Sequence, residues 1–483
     1  MQPMNFKPYT TLAYVQIVAV IALCALLGEL FFFLPKHADS EYEKRPLAKM
    51  PQFSWDNLLA GNYVDSLEQY FADNFPFRDQ FVKTAFALET YRGFSNSEFK
   101  YYDLAMQDTT QIAPICADDN LVAEQSSAPE ITNNKGILIY NGMAIELFGG
   151  NDSLAQPFID VMNNYHEKLG NKTQLHVVLV PTHQEFYLPE KKKYASEKKN
   201  INHIYNALPS DVVTVDVWSA LDAHKKEYIF FNTDHHWTGL GAYYAYEAFC
   251  AKKHFQPKSL SLMQRKSIKN YYGSLYRLTL NKTLENNPDS VVYYKPPIGT
   301  TTFQYLPPDY VQKNKILLFA EYATALHGYS VFLGGDFPIV EINTATKNGK
   351  KAVLIKNSFG NPFAPYLIAH YEQVFVVDYR YYTDNLLTFI RKNNINDLIV
   401  LVTPLTANTA WHCRMLDNLF KHKSVPTAED SLLLAVDTTY QVLIPQPLPP
   451  SPPPPTIAPP KKINNTDTLP IEIPDTIQNN PKP

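Results

Sequence analysis

The chain has 483 residues, 45% hydrophobic and 19% charged, which is enough for a large buried core or for two or three domains. A net charge of −4 offers no electrostatic footprint for nucleic acid. The four cysteines (Cys24, Cys116, Cys250, Cys413) are scattered, with no CxxC pair for structural zinc and no spacing that predicts a disulfide.

Residues 1–11 form a short N-terminus with Lys7, and residues 12–34 are almost wholly apolar, broken only by Gln16 and Glu29. That length matches the ~20 residues needed to cross a bilayer. The stretch is long for a signal-peptide core and has no clear small-x-small site at its end. It reads as a single-pass anchor, N-terminus inside, with the rest of the chain outside the cytoplasm. Residues 35–135 read as an extended crossing and a helical arm over Asp56–Thr90, broken at Phe75-Pro76, followed by a polar loop over Gln107–Asn134. Arg78 and Asp79, after the aromatics of this break, are candidates to clamp the arm to the main domain.

Residues 136–440 read as one α/β domain. Gly136–Gly149 predicts a hairpin turning at Asn141-Gly142. Leu175–Val180, Val212–Trp218, Val353–Lys356, Val374–Asp378 and Leu398–Thr403 are apolar runs of the kind that form buried parallel strands. Helices are expected at Lys199–Leu208, from Thr238 to about Lys253, at Pro362–Tyr371 and at Asp384–Asn393. This alternation predicts a mainly parallel sheet covered by helices on both faces, with ligands bound beyond the carboxyl ends of the strands. Residues 258–336 are less regular and read as an insertion, whose Tyr271–Tyr276 phrase could line the same cleft. Residues 441–483 are proline-rich and predict a disordered or polyproline tail.

Two stretches carry chemistry. Asn232–Tyr246 places Thr233, Asp234, His235 and His236 ahead of Trp237 and a helix that Thr238 would cap. An ionised Asp234 two residues from His236 can fix an imidazole tautomer, which is the acid–base half of a triad. The second stretch, Ala352–Asn361, puts Ser358 just past a buried strand, on a turn that would present its hydroxyl at the carboxyl edge. There the Ser358 and Phe359 N–H groups, with Asn357 or Asn361, are candidate oxyanion donors. A capped helix with buried histidines and a capping serine is the alternative reading of both stretches. Metal binding by His235 and His236 is not expected, because adjacent strand residues point to opposite sides and no HExxH or CxxC accompanies them.

The Asp234-His235-His236-Trp237 block, followed by Thr238-Gly239-x-Gly241-Ala242-Tyr243-Tyr244-Ala245-Tyr246, resembles the signature of the DHHW proteins, relatives of SGNH-hydrolase-like proteins that O-acetylate alginate and other exopolysaccharides. The Asn74–Asp79 phrase, Val180-Pro181-Thr182, Asn357-Ser358-Phe359 and Val377–Tyr382 recur in matching order, so the resemblance spans roughly residues 10–420. It implies an SGNH-hydrolase-like α/β fold in permuted block order and a triad of Asp234, His236 and Ser358. His235, Trp237, Gly273 and Arg380 are further pocket candidates. Asn357 stands where relatives often have Asp, and His183 where they often have Lys, which bears on substrate and rate. The implied activity is O-acetyl transfer to a polysaccharide without a cofactor, with the acyl group passed across the membrane by a membrane-bound O-acyltransferase. An esterase using the same triad and a non-catalytic scaffold of a polysaccharide export complex are the alternatives.

Overall fold

Runs rich in Val, Ile and Leu can be buried only if a sheet is covered on both sides, and here they are. The computed structural model describes residues 7–40, 45–59, 62–92, 100–103, 136–188, 194–306, 310 and 313–421. The polar loop expected at 107–134 and the proline-rich tail of 441–483 lie outside the described residues.

The apolar N-terminal run forms helix α1 (Lys7–Phe33), whose Ala13–Phe33 stretch is long and apolar enough to cross a membrane. The arm follows as α2 (Trp55–Leu59), α3 (Asn62–Asp73) and α4 (Arg78–Arg92). The break between α3 and α4 falls where Pro76 predicts it. Arg78 lies 3.8 Å from both Asp73 and Asp79, and Asp79 accepts a 3.0 Å hydrogen bond from Ser40. The Arg78 contacts lie within the arm, and the Ser40 bond ties Asp79 to the approach segment. Val82 of α4 packs against a cluster containing Ile137, Ile139 and Leu275.

Strands β1 (Lys100–Asp103), β2 (Gly136–Tyr140) and β3 (Met143–Glu146) form a small antiparallel sheet. The β2–β3 turn has Asn141 at φ 50° and Gly142 at φ 78°, the two left-handed residues that a tight hairpin of native twist requires.

The main sheet has eight strands. In chain order come α5 (Asp152–Leu169), β4 (Gln174–Leu179), α6 (Glu197–Asn206), β5 (Val213–Thr214), α7 (Val217–Ala223) and α8 (Gly239–Lys253). A two-stranded ribbon of β6 (Gln264–Tyr271) and β7 (Asp289–Lys295) stands apart. Then follow β8 (Thr300–Tyr305), β9 (Lys313–Ile316), β10 (Ile339–Thr344), β11 (Lys351–Lys356), β12 (Gln373–Asp378), α9 (Leu386–Asn393), β13 (Asp397–Val402) and α10 (Ala410–Asn418). The spatial order is β9-β8-β10-β12-β11-β13-β4-β5. Pairings from β12 through β5 are parallel, and those joining β10, β8 and β9 are antiparallel. The irregular 258–336 segment thus adds two antiparallel strands, β8 and β9, to an edge of the expected sheet.

Alternate residues of each central strand enter opposite cores. Ala352, Leu354, Val374 and Val376 pack with Phe249 and Tyr246 of α8. Val353, Ile355, Phe375 and Val377 pack with Phe158 of α5, Ile204 of α6, Leu386 of α9 and Trp411 of α10. Two expectations are corrected. The run Val212–Trp218 is a strand only at Val213–Thr214, because the Asp216 side chain accepts from Ser219 N (3.0 Å) and starts α7 there. The helix expected at Pro362–Tyr371 is a single turn, Ala364–Leu367, between short turns.

Candidate active site

The histidine loop is built before it is functional. Phe230 and Trp237 form an isolated antiparallel bridge, and Phe231 N bonds to His236 O (3.3 Å), so Asn232–His236 is a tight excursion at the head of α8. Thr238 caps that helix, its hydroxyl accepting from Gly241 N (3.3 Å). Asp289 of β7 holds the front of the loop: its carboxylate accepts from Asn232 N (2.8 Å), Thr233 N (2.7 Å), Thr233 Oγ1 (2.5 Å) and Tyr228 OH (2.6 Å). Burial nonetheless pushes the Asp289 carboxyl above its usual range.

Asp234 is fully buried and surrounded by donors. Oδ1 takes His236 N (2.9 Å) and faces His236 Nδ1 at 2.6 Å; Oδ2 takes Tyr271 OH (2.7 Å) and Ser274 N (3.0 Å). These bonds favour the carboxylate. A carboxylate against Nδ1 selects the Nδ1–H tautomer and leaves Nε2 as a base. His236 Nε2 lies 2.7 Å from Ser358 Oγ. The Tyr329 ring stacks on His236 at 4.0 Å and 15°, and its hydroxyl donates to Ser358 O (2.9 Å).

Ser358 follows β11 by two residues, at the carboxyl end of the parallel strands. Asn357 Oδ1 accepts from Phe359 N (3.1 Å) and Asn357 Nδ2 donates to Thr406 Oγ1 (3.2 Å), a side-chain-capped turn that presents the serine hydroxyl.

The structure therefore brings Asp234, His236 and Ser358, from two distant stretches, into one hydrogen-bonded line. It assigns other duties to most of the remaining candidates. The Phe359 N–H is spent on Asn357, so it is not the oxyanion donor expected from the sequence. Asn361 Nδ2 donates to Asp336 (2.8 Å), and its Oδ1 is an acceptor that cannot stabilise an oxyanion. Arg380 is buried between Asp378 and Asp336, its Nη2 at 2.7 and 2.8 Å from them, and does not line a pocket. Trp237 is a core residue whose Nε1 donates to Phe359 O (2.9 Å). Gly273 is a close-approach position, since a Cβ there would fall 2.1 Å from Asp234 Cβ. His235 is partly exposed and its Nδ1 lies 2.7 Å from Ser274 Oγ. His183 is buried beneath the loop with Nε2 donating to Phe231 O (2.8 Å), and burial pulls its pKa down to about 4.

Asp234, His235 and His236 offer ligand atoms within 4.8 Å of one another, a spacing that could hold a metal ion. Such an ion would have to displace Asp234 or Ser358 from His236, whose ring nitrogens both face those partners. Two further residues complete the site, and only one of them carried a sequence signal. Tyr271 stood within a phrase expected to line the cleft, whereas Tyr329 lies in the short-turn segment Ala325–Val331, which has no motif.

The chain is similar to known proteins to different degrees. The family model described as DHHW protein matches residues 95–377. A solved DHHW family protein from Eubacterium siraeum is 33% identical, with a TM-score of 0.55, over 61% of this chain and 97% of that one. Bacillus cereus PatB1 is 20% identical over 56% of this chain and 96% of its own, with a TM-score of 0.49. The O-acetyltransferase domain of Pseudomonas putida AlgJ is 14% identical over 58% and 96%, with a TM-score of 0.33. The last two likenesses are loose, and no property of this chain rests on them. No curated protein matches the chain.

Proposed function

The chain belongs to the DHHW protein family, and on that premise we propose that it is a membrane-anchored serine O-acyltransferase that esterifies hydroxyls of an envelope or secreted polysaccharide. The observation that carries the reading is His236 held between Asp234 (2.6 Å) and Ser358 (2.7 Å). This is the arrangement that acyl transfer through a serine needs.

Ser358 Oγ attacks the carbonyl carbon of an acyl donor, and its proton passes to His236 Nε2. The tetrahedral oxyanion is stabilised by the Ser358 N–H. Collapse breaks the bond to the donor's leaving oxygen, which takes the proton from His236. A sugar hydroxyl then gives its proton to His236 and attacks the acyl-serine, and Ser358 leaves and regains its proton. Asp234 keeps Nδ1 protonated throughout and offsets the imidazolium charge. Ser358 is only 5% exposed, and transfer rather than hydrolysis requires that the bound acceptor keep water from the acyl-serine.

Helix α1 anchors the protein, with its short basic N-terminus inside and the α/β domain outside the cytoplasm. That compartment lacks a ready supply of activated acyl groups, so the donor comes from a membrane-bound O-acyltransferase partner. The test is incubation of the full chain with 4-nitrophenyl acetate, with and without a polysaccharide. Nitrophenolate release that depends on Ser358, with new acetyl esters on the glycan, is expected. Release without glycan esters would make the protein an esterase. No release dependent on Ser358 would leave the scaffold reading.

A further inference from the structure

We propose that the arm α2–α4 is a membrane-interfacial element whose exposed aromatic side chains lie on the lipid surface where α1 leaves the bilayer. The inference rests on the anchor reading of α1.

Exposed large hydrophobics are not spread evenly over the protein. Among the described residues, ten fall in α1 between Tyr14 and Phe33, ten between Met50 and Leu88, and six in all the rest. The small number in the α/β domain is ordinary for a water-facing surface, whereas the arm's cluster needs a partner. On α4 the exposed Phe81, Ala85 and Leu88 recur at i, i+4 and i+7, one stripe of a helix. On α3 Val64 and Phe71 are exposed seven residues apart. Phe75 and Phe77 fill the turn between these helices with exposed rings, and Phe77 does so at φ 58°, a conformation a bulky residue rarely adopts. Trp55 and Phe53, both exposed, pack edge to face at 5.2 Å before α3.

The depth of this patch comes from its contact with α1. The ring of Phe31 meets Phe71 at 4.8 Å and Tyr70 at 6.0 Å. Phe31 lies two residues before the end of α1 at Phe33, about 3 Å along the axis at the rise of an α-helix. Helix α3 therefore crosses α1 at the level where a spanning helix reaches the headgroups. Lys36 sits there too, its Nζ 3.6 Å from the Phe31 ring centre and donating to the Phe31 carbonyl. Phe, Trp and Tyr mixed with Lys36, Lys49 and Lys83 is the composition of an interfacial belt. A lipid surface fits better than a protein partner, because the apolar residues spread over three helices and a turn and run on from the end of the span.

The full chain, with Cys24→Ala and Cys116→Ser, is reconstituted in phosphatidylcholine–phosphatidylglycerol vesicles and labelled with an environment-sensitive fluorophore at one introduced cysteine. Val20→Cys reports the anchor, Phe81→Cys and Phe75→Cys the arm, and Leu262→Cys the exposed surface of the α/β domain. Doxyl-lipid quenching should lower emission about twofold or more at positions 20, 75 and 81 and leave 262 unchanged. The shallow quencher should act more strongly than the deep one at 75 and 81, and the reverse should hold at 20. Quenching at 20 without quenching at 75 and 81 would overturn the arm proposal, leave the anchor intact and point to a protein partner for the patch. No quenching at 20 would overturn the anchor and the proposal together. Phe75 provides the second position should the Phe81 variant misfold.

Discussion

At the scale of single residues, the site is a set of groups each held from two sides. Tyr329 touches two members of the proposed triad at once, by its ring on His236 and its hydroxyl on the Ser358 carbonyl. Tyr329→Phe keeps the stack and removes one buried hydrogen bond, worth about 1 kcal/mol. It should lower kcat roughly fivefold, with KM little changed, because the free-energy loss falls on the reacting geometry. Tyr329→Leu, which also removes the stacked ring, should cost about a hundredfold. Steady-state kinetics on an ester, with circular dichroism to verify folding, checks both. A rise in KM at constant kcat would place Tyr329 in substrate binding instead. Asp234, His236 and Ser358 were legible because each sits in a short motif with a local structural reason, a capped helix start or a strand-end turn. The role of Phe359 was misread, although an Asn two residues before an N–H is a common capper of such turns. Tyr329 was not legible, since only the tertiary fold brings residue 329 to residues 236 and 358.

At the scale of elements, the strand that carries Ser358 is locked from below by buried charge. Lys356 Nζ lies 2.6 Å from Asp336 and 2.7 Å from Asp378, and Arg380 bonds the same two carboxylates. The nearby cations hold the Asp336 carboxyl far below its usual range despite burial. Removing one cation leaves a carboxylate pair under-neutralised, so Lys356→Met should destabilise the fold by about 3–5 kcal/mol in urea unfolding. A change below about 1 kcal/mol would mean that one of the two carboxyls takes up a proton when Lys356 is lost and Arg380 pairs with the other. The parallel strands were readable because burial on both faces demands continuous apolar runs. Strands β6 and β9 were not: QRKSIKNY and KNKI are polar and present no apolar run, although each pairs with a strand next to it in sequence, β7 and β8. The charge network was hidden too, as Asp336 reaches Lys356 across a loop and strand that sequence alone does not fold.

At the scale of the whole molecule, buried titratable groups set a stability optimum. His183 and His370 are drawn down to about 4 by burial, from an ordinary value of 6.5. The unfolded chain therefore binds protons there that the folded chain does not, and stability falls as pH drops from 6.5 towards 4. Glu197 is buried against Thr182 and pushed up to about 8, from 4.5, first by burial and then by Glu185 and Glu146. The folded chain keeps a proton that the unfolded chain has lost, so stability falls as pH rises through that window. Two histidine contributions outweigh one glutamate below pH 6.5, and above it only the glutamate slope remains. The melting temperature should peak near pH 6.5. Glu197→Gln should remove the decline between pH 6.5 and 8 while leaving the acid limb; an unchanged alkaline limb would show that another group governs it.

The proposed activity stands or falls on Ser358 carrying the acyl group and His236 activating it. Intact-protein and peptide mass spectrometry reads this directly, after brief incubation with 4-nitrophenyl acetate of the unaltered chain, Ser358→Ala and His236→Ala. One acetyl group is expected on the peptide containing Ser358, absent in Ser358→Ala and formed at least about a thousandfold more slowly in His236→Ala. Acetyl on a different residue, or equal labelling of the unaltered chain and Ser358→Ala, would rule out Ser358 as the nucleophile.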